Sequence, residues 1–376
     1  MTKSICIISL SNIAHDSRVL RQVEYLSKEY DLHVIGFGEC PNEYTDKNNI
    51  HWHQIPRPKT SILRILYTLL NRFIIIPFFP RLHPAYKIAV ECDCDVYHVN
   101  NWDALPMGAH AARKNNSKVV LDLHESYSSW YWGLSSGMVK YVLKKYASDV
   151  AFSTTVVDAL AQQHRELGYE PYIIRNIPSL PSTPIRFHKT DPNQIHLVYH
   201  GLASPMRSTD ILIETLSHCE KRYELHLILV NYESKYVQHL RELAKQIVPG
   251  RVTFHRPFKP GKIVQGISKY DIGFFPLPPK NYNYLIALPN KLFEFIAAGL
   301  AVCIGPSPSM EKILKEYQCG ITAPSFEPEA IADLLNQTAA EDWDAMKHAS
   351  LQAAKALNAE NEMQILLKLY ARYFQT

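Results

Sequence analysis

ALPNKLFEFIAAGLAV, residues 287–302, reads as a short helix that runs straight into a buried strand. Pro289 and Asn290 announce the helix, Gly299 closes it, and the apolar AVCIGP from Ala301 follows. A helix opening beside a strand presents bare N–H groups and the positive end of its dipole, which suits an anion. Lys291 in the first turn adds to that charge, whereas Glu294 opposes it and suits a hydroxyl-rich ligand joined to the anion. The plainer alternative is helix punctuation with a dipole-compensating acid, and both stay open on these residues alone.

The same helix–strand alternation extends in both directions. Upstream, the apolar runs IHLVYHG from Ile195, LHLILV from Leu225, VTFHRP from Val252 and IGFFPL from Ile272 alternate with helical patterns such as TDILIETLSHCEKR. GITAP from Gly320 follows downstream. The first half repeats the scheme with SICIISLS from Ser4, LHVIGF from Leu32, VYHVN from Val96, KVVLDLH from Lys118, VAFST from Val150 and YIIRN from Tyr172. Continuous apolar runs of this kind suit strands covered on both faces. Between the first two, SRVLRQVEYLSKEY sets Val19, Leu20, Val23 and Leu26 on one helical face. Strand, helix, strand at that spacing implies parallel sheets with right-handed crossovers. The expected fold is therefore α/β, two Rossmann-like domains in tandem. The proline-rich NIPSLPSTPIRFHKTDPNQ, residues 176–194, is the expected join.

Composition limits the function. The 376 residues are 47% apolar and 20% charged, a globular balance long enough for two cores. A formal net charge of +4 does not support a nucleic-acid partner. Seven cysteines, an odd number spread from Cys6 to Cys319, do not form a disulfide framework, and Cys92 and Cys94 read as too isolated for a zinc site. A reduced cytoplasm is the expected compartment. The N-terminal MTKSICIISLSNIAHDSR lacks the length and cleavage site of a signal peptide, and no apolar run is long enough to span a bilayer. Residues 57–87 differ from the rest: six Lys or Arg, no acid, interleaved with ILRILYTLL and FIIIPFF. That mixture fits either a segment lying on an anionic membrane surface or a core-packed helix with a basic edge.

Several familiar motifs are missing. The first strand is followed by SLSNIAHDSR rather than GxGxxG, and neither a P-loop, a GxSxG elbow nor an HExxH helix occurs. Asp93-Cys94-Asp95 spells a DxD but precedes its strand, where a solvated turn is the simpler reading. The informative groups follow strands. Gly201 allows a tight turn after IHLVYHG, and Arg207 stands at the mouth of the next helix, where a guanidinium can grip phosphate. His124, Glu125 and Ser126 end the Lys118 strand; Asn100, Asn101, Trp102 and Asp103 follow the Val96 strand; His15, Asp16 and Arg18 follow the first. Each one singly reads as a cap. Together they line the carboxyl edges of both sheets, where ligands of such folds bind, and they suit a nucleoside diphosphate carrying a sugar.

PNKLFEFIAAGLAVCIGPSPSMEKILKEYQCGI resembles the donor-binding signature of the GT-B glycosyltransferases of family 4, a retaining, nucleotide-sugar-dependent group. HDSRVLRQVEYLSKEYDLHVIGF, VYHVNNWDALPMGAHAARKNNSKVVLDLHES and YHGLASPMRSTDILIETL resemble its other landmarks in the same order, over nearly the whole chain. The resemblance implies two domains facing across a cleft: 1–178 for the acceptor, 179–358 for the nucleotide sugar, and a final helix, 359–376, crossing back to the first. It implies that Glu294 hydrogen-bonds the ribose hydroxyls, that Lys291 and Arg207 neutralise the diphosphate, and that His124 touches the donor sugar. Gly201, Tyr284 and Asn290 complete the donor side; His15, Asp16, Arg18, Asn101 and Asp103 form the acceptor side. No metal and no cofactor are implied.

Two positions depart from the pattern. Ile286 stands where the first glutamate of the family's Glu-x7-Glu falls, so sugar contacts pass to backbone amides or to Tyr284. Leu202 replaces the frequent arginine after the glycine. The expected activity is transfer of a hexose from a nucleotide sugar to a saccharide, lipid-linked if 57–87 lies on a membrane, in surface polysaccharide or glycoconjugate synthesis. The competing readings are a nucleotide-sugar epimerase on the same scaffold and a GT-B-like subunit that binds without turnover.

Overall fold

A computed structural model of the chain describes residues 2–56, 61–126, 134–259 and 261–375. The chain divides into two compact units, Met1–Arg175 with Met363–Thr376, and Asn176–Glu362.

The first unit is built on strands β1 (Ser4–Asn12), β2 (Asp31–Phe37), β3 (Ile50–Gln54), β4 (Val96–Asn100), β5 (Lys118–Asp122), β6 (Val150–Thr155) and β7 (Pro171–Ile173). They pair in parallel in the order β3-β2-β1-β4-β5-β6-β7. The reason is visible in β1: Ile5, Cys6, Ile7 and Ile8 are all fully buried, which only a sheet covered on both faces permits. Asp16 caps the Ser17–Leu26 helix through the N–H groups of Arg18 and Val19, and Val19, Val23 and Leu26 go into the core. The sequence did not disclose β3. IHWHQ carries polar histidines among its few apolar residues because it is an edge strand, pairing among the described residues with β2 alone.

The second unit repeats the order with β8 (Ile195–Gly201), β9 (Tyr223–Leu229), β10 (Val252–His255), β11 (Ile272–Phe275), β12 (Ala301–Ile304) and β13 (Gly320–Thr322), arranged β10-β9-β8-β11-β12-β13, all parallel. Strand order therefore reverses direction beside β1 in one sheet and beside β8 in the other, and each reversal opens a crevice beyond the carboxyl ends. Residues 174–190 carry neither helix nor strand.

The Asn290–Ala297 helix lies unusually close to β11. A Cβ at Gly273 would sit 2.2 Å from the Phe295 ring, so glycine there lets the helix press against the sheet. The last helix, Ala359–Gln375, begins in the second unit and ends in the first. Its Tyr370 is fully buried in the first unit, with its hydroxyl 2.7 Å from His98 Nδ1 and its ring near Tyr30. Burial pushes the His98 imidazole down to about 4, so the pair is a neutral hydrogen bond.

Among the described residues, no helix is long and apolar enough to cross a membrane. The helix Ser61–Leu70 and the turns after it nonetheless expose Ile62 (73%), Ile65 (61%), Leu66 (57%) and Leu82 (71%) to solvent, together with Phe78 and Phe79.

Candidate active site

β8 and β11 diverge at their carboxyl ends, and the gap between them is a pocket of about 370 Å³ within the second unit. His200 and Gly201 from β8, Arg207 from the turn beyond it, Phe275 and Leu277 after β11, and Asn290, Lys291 and Glu294 from the facing helix line it. Tyr284 closes one side. Gly201 has φ +115°, a conformation that side chains disfavour, and its missing Cβ keeps the backbone within reach of Lys291.

Lys291 is the buried amine of this pocket. It is 6% exposed, and its Nζ has no hydrogen-bond partner among the described residues. The amine instead lies over the rings of Tyr199 and Phe275. Burial, and then the charge of Arg207, hold its pKa well below the ordinary lysine value, against the pull of Glu294. A buried ammonium without an acceptor costs several kcal/mol unless an anion completes it, on the order of the penalty for an unpaired charge.

Glu294 lies one turn after Lys291 on the same helical face. Its Oε2 is 3.3 Å from His200 Nε2, close but misaligned for a hydrogen bond. Burial and then the Lys291 charge keep His200 well below the ordinary imidazole range, so it is neutral. His200 is a site residue that no sequence motif marks. The signal was its place one residue before Gly201, at the very end of an apolar run.

The two departures also have places. Ile286 is almost fully buried, and its carbonyl accepts from the Ser309 hydroxyl at 2.9 Å, so an apolar wall stands at the position of the family's first glutamate. Leu202 is exposed, and its carbonyl accepts from the Tyr199 hydroxyl at 2.8 Å.

In the first unit the named residues gather at the carboxyl ends of β1, β4 and β5 around a group the sequence did not disclose, Asp122. Its carboxylate accepts from Arg18 Nε at 2.5 Å and Nη2 at 2.7 Å, from Gln22 Nε2 at 2.9 Å and from Thr154 Oγ1 at 2.8 Å. Burial alone would raise this carboxyl; Arg18 more than reverses that and holds it well below the usual range. Arg18 also donates to the Ile174 carbonyl at 3.0 Å. It is thus turned inward and braces the strand ends.

His124 is half-buried with Nδ1 3.7 Å from Asp122 Oδ2. Asn101 adopts φ +74° and donates its backbone N–H to the Asp122 carbonyl. Asp16 is engaged as a helix cap and accepts from the Ser11 hydroxyl, while His15 is exposed. Half-buried Asp103 is pushed up to about 6 by loss of water, with Arg72 pulling it back.

The Asp93-Cys94-Asp95 triplet is structural. Asp93 is the left-handed cap of the Pro84–Cys92 helix, and Asp95 accepts from Ser4 and Lys3. Cys92, in contrast, is not isolated as its sequence neighbourhood suggests. Folding brings His33 and His53 to it, with the three ligating atoms within 4.8 Å of one another.

Two parallel doubly wound sheets in tandem, with the final helix returning to the first unit, define the GT-B fold of glycosyltransferases. Residues 194–341, the stretch that holds the strand-end pocket, match the family model described as Glycosyl transferases group 1. No curated protein sequence matches the chain.

Solved structures share the fold over nearly the full length. The Anabaena protein HepE in complex with UDP and glucose is 16% identical, with 98% of this chain and 100% of that one covered at a TM-score of 0.70. Sucrose-phosphate synthase from Thermosynechococcus elongatus is 14% identical, with 99% of each chain covered and a TM-score of 0.74. A glycosyltransferase from Rickettsia africae ESF-5 is 13% identical, covering 100% of this chain and 99% of its own, with a TM-score of 0.69.

Proposed function

We propose that the chain is a retaining glycosyltransferase that moves a hexose from a nucleoside diphosphate sugar to a saccharide acceptor, with no cofactor and no required catalytic metal. The observation that carries this reading is the buried Lys291 amine without an acceptor, held beside Arg207 at the mouth of β8 and β11. A diphosphate supplies the missing acceptor. HepE, of the same fold, has been seen with UDP-glucose, which favours a uridine donor here.

In this reading Glu294 accepts from the ribose hydroxyls, while Asn290 and Tyr284 contact the donor beside Gly201. The bond between the anomeric carbon and the diphosphate oxygen breaks with its electron pair on the phosphate. Lys291 and Arg207 stabilise that growing charge. The acceptor oxygen bonds to the same face of the sugar, and its proton passes to the departing phosphate oxygen. His124 contacts the reacting sugar, with His15, Asp16, Asn101 and Asp103 on the acceptor side. Arg18 serves through Asp122.

The acceptor is lipid-linked in this proposal, and the enzyme works from the cytoplasmic face of a membrane. Support comes from the apolar side chains exposed along Ser61–Leu82, in a stretch whose ionisable charges are all basic from 57 to 87. The arrangement suits anionic lipid as part of surface polysaccharide or glycoconjugate assembly.

The test is a thermal-shift screen of nucleotide sugars without added magnesium or manganese, followed by mass spectrometry of products with and without saccharide acceptor. Acceptor-dependent release of nucleoside diphosphate is expected. Conversion of the donor alone would make the chain an epimerase. Tight nucleotide binding with neither reaction would make it a binding subunit, the reading that buried Ile286 favours.

A further inference from the structure

We propose that His33, His53 and Cys92 form a binding site for a zinc-class divalent cation, separate from the strand-end chemistry. His33 is the third residue of β2, His53 the fourth of β3, and Cys92 the last residue of the Pro84–Cys92 helix. They lie 20 and 39 residues apart in sequence, which hides them from any spacing rule.

The register places both histidines on one face. His53 pairs with Ile35, two residues beyond His33, and the two imidazoles stack at 5.2 Å with planes only 7° apart. His33 Nδ1 is 3.0 Å from His53 Nε2, and Cys92 Sγ is 3.7 Å from the same Nε2. Metal–nitrogen bonds of about 2.0–2.1 Å and a metal–sulfur bond of about 2.3 Å at tetrahedral angles hold ligand atoms about 3.3–3.7 Å apart. Two of the three donor separations thus already stand near those a tetrahedral ion imposes, and the third lies within 4.8 Å.

Two nitrogens and a thiolate select a borderline-soft ion such as Zn²⁺ over Mg²⁺ or Ca²⁺, which need oxygen ligands. Support behind the site is present as well. Cys6 pairs with His33 in the β1–β2 register and is fully buried, with its thiol near those of Cys92 and Cys94. Such a partner orients a ligating sulfur. All three ligands are half-buried, so an ion has a path in from solvent. The site lies toward the amino ends of β1 and β2, whereas Asp16, Asn101 and His124 follow strand carboxyl ends. A bound ion would therefore pin the end of the Pro84–Cys92 helix to the sheet edge and leave the donor pocket alone.

The test uses the full-length chain without a histidine tag, chelator-stripped and reduced, titrated with Co²⁺ as a spectroscopic stand-in and with Zn²⁺ against a chromophoric chelator. One equivalent of Co²⁺ should give an intense tetrahedral visible spectrum with a thiolate-to-cobalt charge-transfer band. Zn²⁺ should raise Tm, and UDP binding should be unchanged. Cys92→Ser should remove the charge-transfer band, and His53→Gln should weaken Zn²⁺ binding at least about 100-fold, beyond the loss of an outer-shell partner.

His196, Glu224 and His226 form the other such group among the described residues and serve as the control. His226→Gln should leave the cobalt spectrum intact. Absence of the sulfur band in the unaltered chain, or loss of metal with His226→Gln but not Cys92→Ser, overturns the assignment. So does binding no tighter than that of a scattered surface histidine; the three side chains would then be a hydrogen-bonded chain and nothing more.

Discussion

Lys291 Nζ stands 3.6 Å from the centroid of the Tyr199 ring and faces no hydrogen-bond acceptor among the described residues. The aromatic face offsets part of the desolvation of the amine but cannot replace an anion. Replacing Lys291 with Met should therefore have opposite effects on the two states. Thermal stability of the nucleotide-free protein should rise, because an unsatisfied buried amine is removed, while UDP affinity should fall by roughly 1.5–3 kcal/mol, the range for a charged hydrogen bond. Differential scanning fluorimetry and isothermal calorimetry on the same variant check both signs.

The depressed pKa of Lys291 adds a proton to that equilibrium. Burial and Arg207 disfavour the ammonium in the empty pocket, and a bound diphosphate restores it toward the ordinary value of about 10.4. At pH values between the lowered and the restored pKa, UDP binding should take up protons, and affinity should fall as pH rises through that window. Binding enthalpies measured in two buffers of different ionisation enthalpy should differ accordingly. The difference should vanish in Lys291→Met, which separates this amine from His200.

Glu294 shares a helical face with Lys291 but is assigned to the sugar end of the nucleotide. Glu294→Ala should weaken UDP binding by on the order of 1–3 kcal/mol and leave inorganic pyrophosphate binding little changed. Calorimetry with the two ligands makes the comparison. Equal loss for both would place the carboxylate in charge balance with Lys291 rather than on the ribose.

Arg18 is the counter-example, a residue whose place after a strand suggests ligand contact and whose guanidinium is committed to Asp122. Arg18→Met should leave a buried carboxylate unpaired and cost about 3–5 kcal/mol in urea denaturation. The pH profile gives the mechanism. With Arg18 present, the folded pKa of Asp122 is depressed, so its contribution is complete above the unfolded carboxylate value of about 3.9 and is lost as pH falls through the folded pKa. Without Arg18 only Gln22, Thr154 and His124 still oppose burial, so the depression of that pKa, and with it the loss of stability on acidification, should shrink.

The parallel sheets were legible because double-sided burial writes itself as unbroken apolar runs such as ICII and LVY, each ended by glycine, proline or a polar cap. IHWHQ escaped because an edge strand needs no such run. Arg18 was visible, but its partner was not: Asp122 lies 104 residues away and looks like an ordinary strand end. His200, at the end of an apolar run, looked like an ordinary strand terminus, and the ligating set around Cys92 was hidden by chain distance. Helix signals located Lys291 and Glu294, whereas the missing acceptor at Lys291 Nζ is a property of packing that no local pattern encodes.

Ile62, Ile65 and Leu66 project from one helix into solvent, in a stretch where Arg72 and Arg81 bring positive charge and no acid intervenes between 57 and 87. Inserting one such side chain into lipid is worth about 1.5–3 kcal/mol, and the arginines add attraction to anionic headgroups. The protein should therefore float with vesicles containing phosphatidylglycerol and much less with neutral phosphatidylcholine vesicles. Added salt should weaken binding only in part, because the apolar share is not screened. Ile62→Glu combined with Leu66→Glu should abolish flotation while UDP affinity stays unchanged, since neither residue lines the donor pocket. If the unaltered chain ignores anionic vesicles, this face is not a lipid seat, and the case for a lipid-linked acceptor goes with it, whereas the donor assignment at Lys291 stands on its own geometry.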